Sequence, residues 1–386
     1  MKKLNIGLLG YGTVGKGVEF LLKNEPNMSL HAIFRRAGKA DGPLMTDQID
    51  QVIANPQIDT IVEAMGGSEP AHGYLRKALL NHKNVITANK ALVNVFGQEL
   101  NQLALQNNVS FVFSAACGGG IPFLPTMVDT LKASPIQAVG GILNGTTNFI
   151  IDKMEREALP FKDALKQAQD LGYAEADPTG DLNGTDTSYK LRLALAVSNR
   201  VWVDQNSILV AGIQNLKAED IKFFKERHWV LRLLAPGEKG ESLSAVVEPT
   251  LLGSTSEEAK ILENNNLAWF KTTSNKVTVL TGQGAGSLPT ATNVVRDLKA
   301  IQNKPQTFLS DLMKFAFADN DTDQGSYYVR TDLSIKSDFL NQHAQESWEE
   351  GPYLYTITHC VKTLDIHQEA KNLSQQGEVF FAKIAE

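Results

Sequence analysis

The sequence predicts an α/β domain on a parallel sheet, then an α+β domain, then a small terminal α+β piece. Three observations carry this expectation. Up to about residue 135, short apolar runs alternate with helical stretches, as in successive βαβ units. The first of those runs ends in a glycine cluster that opens a helix. From residue 136 the alternation stops, and strands and helices no longer follow each other one for one.

Residues 4–9, LNIGLL, read as a buried strand: short, apolar and closed by glycine. Gly10, Gly12 and Gly15 follow in GxGxxG spacing, and TVGKGVEFLLKN continues as a helix. In that context the first glycine permits a tight turn, the second lets backbone approach a pyrophosphate, and the third lets helix pack on strand. The helix N-terminus favours the anion. This is the fingerprint of a Rossmann-type dinucleotide-binding domain. The next strand ends at Phe34, where an NAD-preferring site would place an acid on the ribose. Arg35 and Arg36 stand there instead, with Lys39 beyond. Guanidinium groups would bind a 2′-phosphate, so NADP is expected ahead of NAD; a solvated basic loop is the plainer alternative.

Further strands are expected at 58–65, ending in Gly66-Gly67, at 84–90, ending at Lys90, and at 109–116, before the glycine-dense CGGGIP of 117–122. Helices are expected from Pro70 to about Asn81 and over 91–107. Beyond 136, PIQAVGGILNGTTNFI reads as a strand and a polar turn at 144–148. Amphipathic helices follow at 160–171 and 184–199, and strand-like alternations at 243–252 and 276–282. Residues 282–301 form a second glycine loop entering a helix that could return to the nucleotide domain. Residues 319–326 read as a polar linker and 327–386 as a βαβαβ-like piece. The expected domains are 1–135 for the dinucleotide, 136–285 for catalysis and dimerisation, 286–318 returning to the first, and 325–386 at the end.

The most chemically loaded stretch is GYAEADPTGDLNGTDTSYKL, residues 172–191. Glu175, Asp177, Asp181 and Asp186 crowd it with carboxylates, and its glycines and Pro178 make most of it a shaped loop. Asp186 and Lys190 are four apart, on one face of the helix the loop feeds. A carboxylate and an ammonium held together there could bind both ends of an amino acid and move a proton. The plain alternative is a surface ion pair worth a few tenths of a kcal/mol.

Composition narrows the classes. With 386 residues and 42% hydrophobic content, two or three domains with a sizeable core are expected. A net charge of −6 argues against nucleic acid or an anionic membrane as partner. Two cysteines, Cys117 and Cys360, suit a reducing compartment without a disulfide framework. No run reaches the ~18 apolar residues of a membrane span. The start, MKKLNIGLLGYG, runs into the glycine fingerprint without a cleavage site. A cytoplasmic protein is expected.

Taken together, these residues resemble homoserine dehydrogenases over roughly residues 4–318. The resemblance rests on GYGTVG, VEAMGGSEPA (62–71), VITANKAL (85–92), GGGIP, GILNGTTNFI (141–150), the 172–191 stretch and GQGAG followed by PTA. It implies reversible reduction of L-aspartate 4-semialdehyde to L-homoserine with NAD(P)H, in threonine, methionine and isoleucine biosynthesis. It further implies Lys190 as proton donor, with Lys90 sharing the acid–base work, Glu175 and Asp186 holding the substrate, and Asp181 supporting them. Gly10, Gly12, Thr13, Val14, Gly172 and Gly286 would line the cofactor. A homodimer or homotetramer is implied, and the 243–252 alternation would suit a sheet shared between subunits.

Two departures matter. Ser114 stands where the family usually has a glutamate, in a region that commonly holds sodium through backbone oxygens, here around Ser114, Cys117, Gly119 and Ile121. No metal is expected. SYYVRTD (326–332) and YLYTITHCV (353–361) resemble strands of an ACT regulatory domain, but LSIKSDFLN replaces its Asp-x-Pro-Gly turn, so weak or absent threonine sensitivity is expected. The alternatives are a related Rossmann dehydrogenase for another small substrate, or a non-catalytic NADP-binding regulatory homologue. The first leaves 172–191 unexplained, and Lys90, Glu175, Asp186 and Lys190 argue against the second. No kinase segment is expected ahead of the fingerprint.

Overall fold

Leu4–Leu9 forms β1, and Ile6, Leu8 and Leu9 are all fully buried. Burial on both faces is what a parallel sheet covered by helices demands. In this computed structural model, residues 3–240, 242–274, 276–309 and 314–385 are described. They divide into two units. The first comprises residues 1–136, 192–202 and 280–315. Its sheet adds β2 (Met28–Phe34), β3 (Met45–Thr46), β4 (Thr60–Glu63), β5 (Asn84–Thr87) and β6 (Phe111–Val112) in the order β3-β2-β1-β4-β5-β6. Every neighbouring pair is parallel. The order reverses between β1 and β4, and a ligand crevice is expected outside the carboxyl ends of strands at that point.

Helices α1 (Thr13–Leu22), α2 (Asp50–Ile53), α3 (Ala71–Leu80), α4 (Lys90–Gln106) and α5 (Phe123–Thr130) complete the first pass of this unit. The helix Ser287–Ile301 joins its core, packing Ala291, Val294 and Leu298 with Val18 and Leu22. Burying each valine or leucine among these stabilises the unit by ~1.5–3 kcal/mol. The strand expected at 109–116 shortens to Phe111–Val112, followed by a 3₁₀ turn over Ser114–Ala116. Its continuation is diverted because the Ser114 backbone N–H donates to the Asp297 carboxylate at 3.0 Å and not to a neighbouring strand.

The second unit comprises residues 137–191, 203–279 and 316–386. β7 (Ile136–Ile142) lies within a twelve-stranded sheet. Leu243–Gly253 runs through it with every residue but Ser244 and Gly253 buried. It pairs antiparallel with Trp229–Leu234 and Gly237–Lys239, and parallel with Val379–Ile384. Its hydrogen-bonding edges are thus taken inside the chain and do not form an open edge of the sheet. The strand at one edge of the sheet is instead Val277–Gln283.

The terminal residues extend this same sheet. Gln324–Asp332 pairs antiparallel with both Val379–Ile384 and Tyr353–Thr358. Ala344–Glu350 and Tyr353–Thr358 form an antiparallel hairpin, so the main elements from Gln324 to Ile384 run βαββαβ, with a strand added to the βαβαβ-like order expected for 327–386. Nor are residues 319–326 a loose linker. Asn320 is buried, its Oδ1 accepts the Ala245 N–H at 2.9 Å, and its Nδ2 donates to Ser207 O at 3.2 Å. Polar composition signals a turn, but here it supplies hydrogen bonds to an internal strand.

Helices α6 (Gly145–Glu157), α7 (Phe161–Asp170), α8 (Thr179–Leu182) and α9 (Thr185–Asn199) carry the chemically loaded stretch. The polar turn expected at 144–148 is the start of α6. Asn144 caps it, its Oδ1 accepting the Thr147 N–H at 2.8 Å. α9 is not amphipathic as expected: Leu191, Leu193, Ala194, Leu195, Ala196 and Val197 are all buried, as is Arg192. A helix buried on nearly every side, polar residues included, belongs to an interior.

Candidate active site

The first unit carries a cleft of about 550 Å³ at the β1/β4 switch point. Gly10, Gly12, Arg35, Arg36, Lys39 and Gly66 line it. Gly10 has φ +94°, and a Cβ there would lie 2.5 Å from Ala64 O, so the turn after β1 admits glycine only. A Cβ on Gly15 would meet Gly10 O at 2.3 Å, which explains the third glycine. Gly12 faces open space, and the α1 N-terminus has neither a side-chain cap nor an acid in its first turn. Unused N–H groups beside open space suit a pyrophosphate. Thr13 opens α1, and its carbonyl accepts from the Ser287 hydroxyl at 2.6 Å, next to Gly286. Val14 packs partly buried against the core.

Arg35 is held in this cleft. Its Nη1 donates to Asp41 Oδ1 at 2.7 Å, and its guanidinium lies 5.4 Å from the centre of the Tyr11 ring. Arg36 and Lys39 sit on the same wall. The basic group therefore lines the cleft, with Arg35 half-buried and Arg36 and Lys39 exposed.

Glu63, at the carboxyl end of β4, is a fully buried carboxyl behind the cleft wall that sequence reasoning did not single out. Met65 N–H donates to its Oε1 at 2.6 Å, the Thr87 hydroxyl donates to its Oε2, and Asn89 Nδ2 reaches Oε1 at 3.5 Å. Asn89 also donates to Gly67 O at 2.6 Å and caps α4 through Leu92 N–H. One carboxyl thus ties the cleft wall after β4 to the start of α4, where Lys90 is the first residue. Burial pushes the Glu63 carboxyl up to about 7, against the opposing effect of its hydrogen bonds from Thr87, Met65 and Asn89.

In the second unit, four residues of the sequence motifs converge. Lys190 Nζ lies 2.8 Å from Asp186 Oδ2 and donates to Leu143 O at 2.6 Å. The two side chains are only 11% and 8% exposed, so this is not the surface ion pair of the plain reading. Asn144 Nδ2 donates to Asp181 Oδ1 at 2.7 Å and to Asp186 Oδ2 at 2.8 Å. Its orientation is dictated: the amide nitrogen faces two carboxylates while its oxygen caps α6. Asn144 links the two acids, a role hidden in the sequence because the residue read as part of a turn. Its capping position before a helical run was the available signal.

Other residues of the loaded stretch lie outside this hydrogen-bonded set. Glu175 is exposed, and its carboxylate is not part of the Asn144–Asp181–Asp186–Lys190 set. Asp177 is exposed and accepts from the Thr179 N–H and hydroxyl at 3.1 and 2.6 Å, bonds that hold its carboxyl below the usual range. It shapes the entry to α8. Gly172 is exposed in the second unit at φ +74°, just past α7.

The carbonyls around Ser114, Cys117, Gly119 and Ile121 do not fit a sodium ion. Asn293 Nδ2 donates to both Gly119 O and Ile121 O, filling the point within reach of the pair.

The family models match in two blocks. One, described as homoserine dehydrogenase, NAD binding domain, covers residues 10–114, and the other, homoserine dehydrogenase, covers residues 122–298. The chain belongs to the homoserine dehydrogenase family. It is 36% identical over 317 residues to the homoserine dehydrogenase of Bacillus subtilis, spanning 78% of this chain and 73% of that protein. It is 32% identical over 387 residues to the one of Pseudomonas aeruginosa, spanning 92% of this chain and 88% of that protein. The crystal structure of a homoserine dehydrogenase from Thiobacillus denitrificans superposes with a TM-score of 0.86 at 28% identity, covering 100% of this chain and 99% of the other. Membership makes the chain an oxidoreductase with a nicotinamide-dinucleotide domain at its start. Among the described residues no helix is long and apolar enough to cross a membrane.

Proposed function

We propose that Lys190 carries the acid–base step of the family's reaction, the reversible reduction of L-aspartate 4-semialdehyde to L-homoserine. The observation that supports this reading is the Asn144–Asp181–Asp186–Lys190 constellation, buried except for the half-buried Asp181. When bound, the nicotinamide supplies or accepts the hydride. As the aldehyde is reduced, negative charge develops on its oxygen, and a positioned ammonium delivers a proton there. Asp186 orients that ammonium. Asn144 holds Asp186 and Asp181 in one arrangement, and the carboxylates offer acceptors to the substrate's own ammonium group. Glu175, exposed at the loop, contributes to the same end of the substrate. Lys90, at the start of α4, shares the acid–base work.

The cofactor preference is for NADP. Arg35, Arg36 and Lys39 together on one wall of the cleft support it, because a 2′-phosphate there would accept charge-assisted hydrogen bonds. The edge strand carrying Val277 and Val279, 53% and 42% exposed, supports self-association as a homodimer or a homotetramer. A cysteine count of two supports a reducing, cytoplasmic setting.

The test is Lys190→Ala in a steady-state assay with homoserine and NADP. Turnover should fall at least ~100-fold, while the dissociation constant for NADPH, read by fluorescence, stays within about threefold. A variant that keeps turnover within about threefold of the parent removes Lys190 from the mechanism.

A further inference from the structure

We propose that Asn293 and Arg296 form an internal substitute for a monovalent cation at the turn Gly118–Ile121, so that this chain organises the turn without sodium. The turn is built on left-handed Gly118 and Gly119, at φ +95° and +56°, and is closed by the Ile121 N–H donating to Gly118 O at 2.8 Å. It is packed against residues 283–284, with Gly120 N–H donating to Gln283 O at 3.0 Å. A Cβ on Gly119 would lie 2.2 Å from Gly284 O, so the backbones are in direct contact. Two carbonyl oxygens aimed at one point repel each other unless something positive lies between them. Here that is the side-chain amide of Asn293, which is fully buried and donates to Gly119 O and, at 2.9 Å, to Ile121 O.

The amide can face only one way. Turned over, its oxygen would oppose two carbonyl oxygens and its nitrogen would oppose the Arg296 guanidinium. As placed, Asn293 Oδ1 accepts from Arg296 Nη1. The positive charge thus sits one bond further out and polarises the amide toward the carbonyls. Asn293, Arg296 and Asp297 lie three and four apart on the helix Ser287–Ile301, so one face of one element supplies the whole arrangement. Asp297 anchors the other end of the segment, accepting from the Ser114 N–H at 3.0 Å and from its hydroxyl at 2.5 Å. Ser114 therefore spends its polar groups on Asp297. A sodium ion within reach of both carbonyls would have to displace the Asn293 nitrogen and lie next to the guanidinium it is bonded to.

The experiment compares thermal unfolding of the full-length parent, Asn293→Ala and Asn293→Ser in sodium, potassium and choline chloride at equal ionic strength, with ²³Na line broadening as a direct reading of binding. The parent should show the same midpoint in all three salts and no saturable broadening. Both variants should unfold at lower temperature in choline chloride and recover part of the loss in sodium or potassium chloride, because the uncovered carbonyls then accept the ion. Saturable sodium binding or sodium-specific stabilisation in the parent overturns the proposal, whatever the variants do. So does a folded variant that responds identically to all three salts.

Discussion

Glu63→Gln tests the physical reading of the nucleotide unit. The Glu63 carboxyl titrates at about 7 where an ordinary one titrates at 4.5, chiefly because it is buried. Between those values the folded chain holds a proton that the unfolded chain has released. Stability therefore falls as pH rises through this window, and the contribution present below the lower value is gone above the upper one. The shift corresponds to about 3 kcal/mol at 1.36 kcal/mol per pH unit. Glutamine keeps the shape, accepts from Met65 N–H and donates to the Thr87 hydroxyl oxygen, as the protonated acid would. It cannot ionise. Urea unfolding of parent and variant at several pH values from about 5 to about 8 reads the difference. The variant should gain on the parent by about 3 kcal/mol across that range. Asp297, also pushed up to about 7 by burial, contributes the same slope to both proteins and cancels. Stability curves that stay parallel across the range would mean that Glu63 does not change its protonation there, and the account of its buried carboxyl would fail.

Three other outcomes are expected. Arg35→Ala should raise KM for NADP about 10- to 100-fold, the equivalent of one or two charge-assisted hydrogen bonds, and leave KM for NAD within about threefold; equal losses for both would dissociate Arg35 from the 2′-phosphate. Gly10→Ala forces a Cβ to 2.5 Å from Ala64 O at φ +94°, so calorimetry should show a loss of at least about 1–3 kcal/mol and titration a loss of dinucleotide binding; parental values in both would refute the close approach. Arg330→Leu leaves Asp220 buried without the guanidinium that donates to it at 2.8 Å, and should cost about 3–5 kcal/mol in urea unfolding, with a change under about 1 kcal/mol counting against the pair.

Much of the nucleotide unit was legible from local pattern. A short apolar run, three glycines and a helix describe a strand, a turn and an anion-binding N-terminus within a dozen residues, so neighbours in sequence are neighbours in space. The four-residue spacing of Asp186 and Lys190 has the same local origin, since helix geometry alone brings them together. What lay beyond local pattern was which distant groups those residues meet. Asn144 reaches Asp181 and Asp186 from 37 and 42 positions away, and no periodicity announces that contact. Burial decided the rest. It turned an apparent surface ion pair into an enclosed one, made Glu63 a near-neutral hub and left Glu175 in solvent. It drew the polar segment around Asn320 into a strand's hydrogen bonding, and merged the terminal strands into one sheet. The sequence by itself determined most elements of the nucleotide unit and the family, because those depend on residue order over short spans. The tertiary structure alone decided which carboxylates lose their water, because desolvation depends on everything that packs around a group and not on its neighbours in the chain.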